Sequence, residues 1–265
     1  MNRIKVCANY DLRYDDNVTN LWLLEKIKKL YTFATKQIKY AIFQKSNIYN
    51  YYGILLVLNF IDDNIMEIFK YVKNDLTLKV FAYKIENSED IYYLTENKYI
   101  VDRYFENDYK ISMSSFIQAD LNSANKIHVI VNNNIDKDAN IIGLGGLSYI
   151  YMNKLNSNNI FLTNSISIYN DSIENGIVNS NLIDYSNLTL KLNDDIKYTL
   201  IINISKSGLK NLVYDILNIP NIDKIIYIGC SKKIIDKDHN IIITKYKLIS
   251  TWSYLTMNYI NIYIK

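Results

Sequence analysis

Cys230 closes the apolar run Ile225-Ile226-Tyr227-Ile228-Gly229 and is followed by Ser231-Lys232-Lys233. A short apolar run of this kind reads as a buried strand, and reactive groups in an α/β sheet stand at strand C-terminal ends. Two lysines and the start of a helix would lower the thiol pKa and favour the nucleophilic thiolate. The same features suit an inert thiol, because free Cys is among the most buried residue types. A second cluster, Gly143-Leu144-Gly145-Gly146, lies between a short apolar strand and a helical stretch. Glycines there let the backbone approach a ligand closely, and the helix start offers free N–H groups. A tight strand-to-helix turn needs the same residues, so both readings stand. These are three of only seven glycines in the chain.

Other polar groups suggest less. His128 shares a stripe with Leu121, Ala124, Ile127 and Val131 and is expected to be a core or edge histidine. His239, in Asp238-His239-Asn240, is expected in a solvated turn. Asp62-Asp63 and Asp194-Asp195 read as helix caps or loop charges. No Ser/His/Asp order, phosphate-binding loop or zinc pattern is present. Cys7 and Cys230 are too few for a disulfide framework and lack metal-ligand spacing, so no metal is expected.

The balance of 49% hydrophobic and 22% charged residues over 265 positions is that of a folded protein with a sizeable core. There are 36 Asn, 25 Tyr and 27 Lys against 3 Arg, 7 Ala and 1 Pro, a skew toward residues with A/T-rich codons. Lysine abundance is therefore weak testimony for nucleic acid, and a net charge of +3 is only permissive for it. No apolar run approaches the roughly 18–20 residues that span a bilayer. Arg3, Lys5, Asp11 and Arg13 make the first residues unlike a signal peptide. An intracellular, cytoplasmic protein without a membrane partner is expected.

The elements that must position these groups fall into two sections. Over 1–114, a helix is expected at 21–40, a buried strand at 52–60, a helix after Asp62-Asp63 and a strand at 76–85, followed by short strands at 92–93, 99–101 and 109–113. Over 115–265 the pattern changes. A helix at 119–131 is followed by alternating strand-like and helix-like stretches: 140–142, 147–155, 160–163, 168–177, 188–192, 198–204, 209–217, 224–228 and 232–238. Two strands, 241–250 and 258–264, close the chain as an expected antiparallel edge. This alternation predicts an α/β domain: a parallel, Rossmann-like sheet with helices on both faces, preceded by a smaller α+β domain.

Several pieces, in this order, resemble the S-adenosylmethionine-dependent RNA (uracil-C5)-methyltransferases that make 5-methyluridine in tRNA and rRNA. Ser115-Phe116-Ile117-Gln118-Ala119-Asp120 is similar to the family's Phe-x-Gln-x-Asn signature. The glycine turn at 143–146 falls where the family holds its cofactor loop. Asn203-Ile204-Ser205-Lys206-Ser207-Gly208-Leu209 resembles Asp-Pro-Pro-Arg-x-Gly-Leu. Tyr227-Ile228-Gly229-Cys230-Ser231, with Asp236 and Asp238 beyond it, resembles Tyr-x-Ser-Cys-Asn and the Arg-Asp that follows. The stretch from Thr251 to Ile264 sits where the family has Phe-Pro-x-Thr-His-His-x-Glu and a last strand. The resemblance covers roughly residues 50–265.

It implies a class I methyltransferase sheet, S-adenosyl-L-methionine as cofactor and a tRNA or rRNA partner. It assigns Cys230 as nucleophile toward carbon 6 of uridine. Tyr259 falls at the position of the general base and Lys206 at the arginine position. Gln118, Gly143, Gly145, Asn164 and Asn203 fall at cofactor-contacting positions. Asn203 and Asn164 stand where the family has acids, and Tyr259 where it has Glu. A neutral amide takes no proton near pH 7, and a phenol with pKa about 10 does so poorly. Two expectations follow: an enzyme with replaced auxiliary groups, or a lapsed methyltransferase fold that binds RNA or a protein partner.

Overall fold

The computed structural model describes residues 3–7, 37–61, 66–67, 69–70, 73–74, 76–115, 121–152, 156–185, 192, 195–204, 208–229, 231–254 and 258–265. The chain divides into two compact units, Met1–Asn122 and Ser123–Lys265.

In the first unit β1 (Arg3–Cys7), β2 (Ile38–Lys45), β3 (Tyr52–Leu58), β4 (Leu78–Ile85) and β5 (Tyr92–Tyr93) form one sheet in chain order. The β3–β4 pair is parallel and the other neighbours are antiparallel. Every residue of β3 is buried, as its unbroken apolar run predicts. One face packs Ile54, Leu56 and Leu58 against Phe43 and Phe81. The other packs Leu55 and Ala82 against Ile100 and Met113. Ile100 belongs to a hairpin of β6 (Tyr99–Tyr104) and β7 (Asn107–Ser112). Asp102 on β6 is buried and accepts the Asn47 N–H at 2.7 Å, while Ser46 donates its hydroxyl to Val101 O at 2.6 Å. The helix expected over 21–40 is corrected at its end, because 38–40 are strand. Ile38 and Ala41 are wanted in the strand core, and tertiary burial overrides a helical pattern that is weak there. Residues 21–36 lie outside the described residues. Beyond Asp62-Asp63, themselves outside, the described 66–67 and 69–70 are helical.

The second unit is a seven-stranded sheet. Its strands are β8 (Asn140–Leu144), β9 (Ile160–Thr163), β10 (Ser180–Leu182), β11 (Tyr198–Asn203), β12 (Ile222–Gly229), β13 (Lys247–Tyr254) and β14 (Asn258–Ile264). Their spatial order is β10-β9-β8-β11-β12-β14-β13, with β14 alone antiparallel to its neighbours. The strand order reverses between β8 and β11. The helices are α1 (Leu121–Asn133), α2 (Ile166–Glu174), α3 (Leu212–Leu217) and α4 (Lys232–Ile242). Ser165 caps α2 by accepting the Ile168 N–H.

Side-chain alternation assigns the faces. Ile142, Leu144, Leu200, Ile202, Ile225 and Tyr227 pack with Val213 of α3 and Ile235 of α4. On the opposite face Gly143 lies under Ser148, Met152 and Phe161, and Tyr149 meets Phe161 edge-on. Buried His128 of α1 joins this side through its Nδ1, 2.5 Å from the Tyr151 hydroxyl. Helical segments thus cover both faces, as the alternating pattern predicts.

Three expectations are corrected. The helix expected at 147–155 is a 3₁₀ turn, Ser148–Tyr151, with Met152 extended and 153–155 outside the described residues. All four turn residues are buried, so no polar face exists for a surface helix. The strand expected from Ile241 begins at Lys247, because α4 runs on to Ile242. Ile235, Asp238 and Ile242 are buried at helical spacing, a period that overrides the local apolar run. His239 is accordingly a half-buried helix residue whose Nδ1 lies 3.1 Å from the Tyr263 hydroxyl, not a solvated turn residue. The closing pair is the expected antiparallel edge, with a swap in order: β14 lies beside β12 and β13 takes the outermost place, parallel to the rest. The strand β10, mostly exposed and only three residues long, has no apolar signal to reveal it. The stretch 188–191 lies outside the described residues.

Candidate active site

Pairing register decides which residues share a sheet end. Leu144 pairs with Leu162 and with Ile202, Asn203 pairs with Ile228, and Gly229 pairs with Tyr259. Gly145, Asn164, Asn203 and Gly229 therefore stand in one row, at the C-terminal ends of β8, β9, β11 and β12. The reversal of strand order falls between Gly145 and Asn203. In open α/β sheets this is where ligands bind.

Gly145 and Gly146 turn the chain with φ of +69° and +48°. The Gly145 N–H donates to Leu162 O at 2.8 Å, and Ser148 returns its hydroxyl to Gly145 O at 2.7 Å. The turn is thereby fixed from both sides. A side chain on Gly146 would begin 2.7 Å from Asn203 Cγ and 2.7 Å from Asn203 O. Glycine is needed here for its left-handed backbone and for the close approach of β11. One on Gly145 would begin 3.0 Å from the Tyr185 hydroxyl. That phenol also hydrogen-bonds to the Thr163 side chain and the Asn164 backbone, and burial raises its pKa.

Five of the residues singled out from sequence are described. Gly145, Asn164 (exposed) and Asn203 (half-buried) lie in the strand-end row. Gly143 lies one turn deeper, inside β8, where its missing side chain admits Ser148 Oγ. Tyr259, half-buried, is brought beside Gly229 by β14 and packs against the main core cluster. Gln118, Lys206 and Cys230 lie outside the described residues. Gly229, which precedes Cys230, ends its strand at the same sheet end as the glycine turn, with β11 between them.

The donor set can be tested against a nucleoside bearing an amino-acid tail. Such a ligand presents ribose hydroxyls and an ammonium, all donors. The amide oxygens of Asn164 and Asn203 accept such hydrogens, so the residues fit by hydrogen bonding while supplying no charge. Asp184, exposed and two residues past β10, is an acid of this rim that the sequence pattern does not flag. Tyr185 carries no sequence signal either, being one of 25 tyrosines. Among the described residues no group of three His, Cys, Asp or Glu is placed to hold a metal, and no helix is long and apolar enough to cross a membrane.

A seven-stranded sheet reversed at its first strand, with only the last strand antiparallel, is the class I, Rossmann-like methyltransferase fold. The chain is similar in structure to the Pyrococcus abyssi tRNA (uracil-54, C5)-methyltransferase in complex with S-adenosyl-L-homocysteine. The TM-score is 0.70 at 14% identity, over 99% of this chain and 75% of that one. The tRNA m1G37 methyltransferase of M. jannaschii aligns at a TM-score of 0.45 and 13% identity, over 80% of this chain and 68% of that one. A putative SAM-dependent methyltransferase from Streptococcus mutans aligns at 0.46 and 10%, over 84% and 71%. Scores below 0.5 do not establish a fold. No protein-family model matches the sequence, and no curated protein matches it.

Proposed function

We propose that this chain is an S-adenosylmethionine-dependent RNA (uracil-C5)-methyltransferase. The observation that carries the proposal is the strand-end row. Gly145, Asn164, Asn203 and Gly229 come from four separate stretches, three of them in motifs of the resemblance, and they meet along one sheet end at the order reversal. The fold shared with the Pyrococcus abyssi enzyme supports it.

S-adenosylmethionine supplies the methyl group. The chain's residues supply the rest. Carbon 5 of uracil is a poor nucleophile until carbon 6 carries a substituent. The Cys230 thiolate would add to carbon 6, and the electron pair displaced toward carbon 5 would bond the methyl carbon as that carbon's bond to the sulfonium sulfur breaks, the pair staying on sulfur in a neutral thioether. Loss of the proton from carbon 5 to a base then expels the thiolate and restores the ring. Tyr259 stands at the position of that base. Gly145, Asn164 and Asn203, at the strand ends, would contact the cofactor. Gln118 and Gly143 fall at cofactor positions of the resemblance, with Gly143 shaping the turn from inside β8, and Lys206 falls at its arginine position. A target uridine in folded RNA leaves its stack to reach the thiol.

The test uses tRNA carrying 5-fluorouridine, whose fluorine cannot leave as a proton, so elimination stops. A covalent protein–RNA adduct that survives denaturation is expected, and Cys230→Ala abolishes it. Calorimetry showing no affinity for S-adenosylmethionine at millimolar concentration overturns the proposal. RNA association persisting without adduct or cofactor binding identifies a binding protein instead.

A further inference from the structure

We propose that the buried carboxylate of Asp238 is a positioning residue, locking the chain that leads from Lys206 onto the strand that leads to Cys230. This rests on the roles proposed above for those two residues.

Asp238 lies in α4 and is 2% exposed. One oxygen, Oδ2, accepts the Tyr227 hydroxyl at 2.6 Å and the Leu209 N–H at 3.0 Å. Tyr227 is on β12, three residues before Cys230. Leu209 is three residues after Lys206. The carboxylate therefore ties two segments whose reactive groups must act on the same base. The Tyr227 bond falls in the length range of charge-assisted O–H···O⁻ bonds.

A separate observation places the loop on the helix. Gly208 has φ +70°, and a side chain there would begin 2.6 Å from Ile234 Cγ2 and 3.1 Å from Asp238 Oδ2. Only a glycine lets this backbone lie against α4. The Gly-Leu pair singled out in sequence thus has a geometric reason: Gly208 permits the approach, and Leu209 donates into it. The next residue on α4, His239, meets Tyr263, whose hydroxyl also accepts from Asn261 Nδ2 at 2.8 Å. The helix is pinned to β14 as well as to β12 and the loop.

Stability alone does not call for this arrangement. Burying a carboxylate carries a desolvation cost, and apolar replacements of similar volume are often neutral or stabilising. What the carboxylate provides is one fixed point shared by two chain segments. A displacement of about 1 Å between reacting groups can cost about 100-fold in rate.

The experiment measures the rate of 5-fluorouridine-tRNA adduct formation at saturating RNA. Cofactor affinity by calorimetry and thermal unfolding accompany it. Asp238→Ala is expected to slow the adduct by about tenfold or more, with cofactor affinity within about threefold of wild type. Asp238→Asn keeps one acceptor oxygen in place and is expected to restore the rate to within about threefold. Should Asp238→Ala not fold, Gly208→Ala carries the test, with the same loss expected. A wild-type rate in folded Asp238→Ala or Gly208→Ala overturns the positioning role. So does a loss in Asp238→Asn as large as in Asp238→Ala, or a parallel collapse of cofactor affinity. Absence of adduct in the wild type instead overturns the methyltransferase reading on which the role rests.

Discussion

The amide of Asn203 fills the space that a side chain on Gly146 would occupy: its Cγ lies 2.7 Å and its Nδ2 2.8 Å from that point. The two residues end β11 and follow β8, the strands between which the sheet order reverses. The glycine turn is thus shaped by its neighbouring strand as much as by any ligand. Gly146→Ala forces both a left-handed alanine and a displaced Asn203. A loss of about 1–3 kcal/mol in urea unfolding is expected. Asn203→Ala in the same chain should recover only part of it, because Asn203 O is also 2.7 Å away. Full recovery would mean that the side chain alone enforces the glycine.

Asn164 offers a neutral acceptor at the exposed end of β9. Hydrogen bonds to a charged acceptor are stronger than those to a neutral one by roughly 1 kcal/mol. Asn164→Asp is therefore expected to tighten S-adenosylmethionine binding about fivefold in calorimetry. Unchanged or weaker binding would show that this position does not meet the ribose.

Tyr259 is registered opposite Gly229. A carboxylate there would accept a proton near pH 7 far better than a phenol does. Tyr259→Glu should raise 5-methyluridine formation, counted by mass spectrometry of digested tRNA, by about 10–100-fold, within the usual worth of a general base. No gain would remove Tyr259 from the reacting centre.

Burial pushes the His128 imidazole down to about 4. Between its unfolded value of about 6.5 and 4, the unfolded chain binds the proton and the folded chain does not. Stability therefore rises with pH across that window and is lost as pH falls through it. Urea unfolding at pH 7 and pH 4.5 should show a pH effect in the wild type about 2 kcal/mol larger than in His128→Gln. Equal effects would place the histidine in water.

Asp102 behaves oppositely. Burial raises its carboxyl to about 6, against lowering by hydrogen bonds from the Asn47 backbone and the Ser46 side chain. Between about 4 and 6 the folded chain holds the extra proton, so stability falls as pH rises. Asp102→Asn keeps an acceptor for Asn47 and removes the buried charge. It should unfold at higher urea than wild type at pH 7 and match it near pH 4. Lower stability at pH 7 would show that the charge is favourably bound.

Much of the sheet was legible in the chain. The buried run at 52–58, the strands 160–163, 198–203 and 258–264, and the α1 stripe through His128 follow from apolar periodicity, because those residues face the core without competing demands. The failures have local causes. The 3₁₀ turn after Gly146 is too apolar on all sides to announce its type, and Ile241-Ile242 suits a strand until α4 is seen to bury Ile242 at helical spacing. Of the site, sequence singled out the glycines, Asn164, Asn203 and Tyr259, but not Tyr185 over the turn. It marked Asp238 by resemblance and not as the anchor of a loop.

The sequence alone determined where the most buried strands and helices lie, β3, β9, β11, β14 and α1 among them, since burial period is written residue by residue. Through the resemblance it also marked Asn164, Asn203 and Tyr259 as neutral at positions where that family has acids. Only the tertiary structure decided that β14 slips between β12 and β13, that Asn203 lies on Gly146, and that Asp238 reaches both Leu209 and Tyr227. Such contacts join residues up to 57 positions apart, as Asn203 and Gly146 are. They are fixed by pairing register and helix docking, for which no local pattern codes.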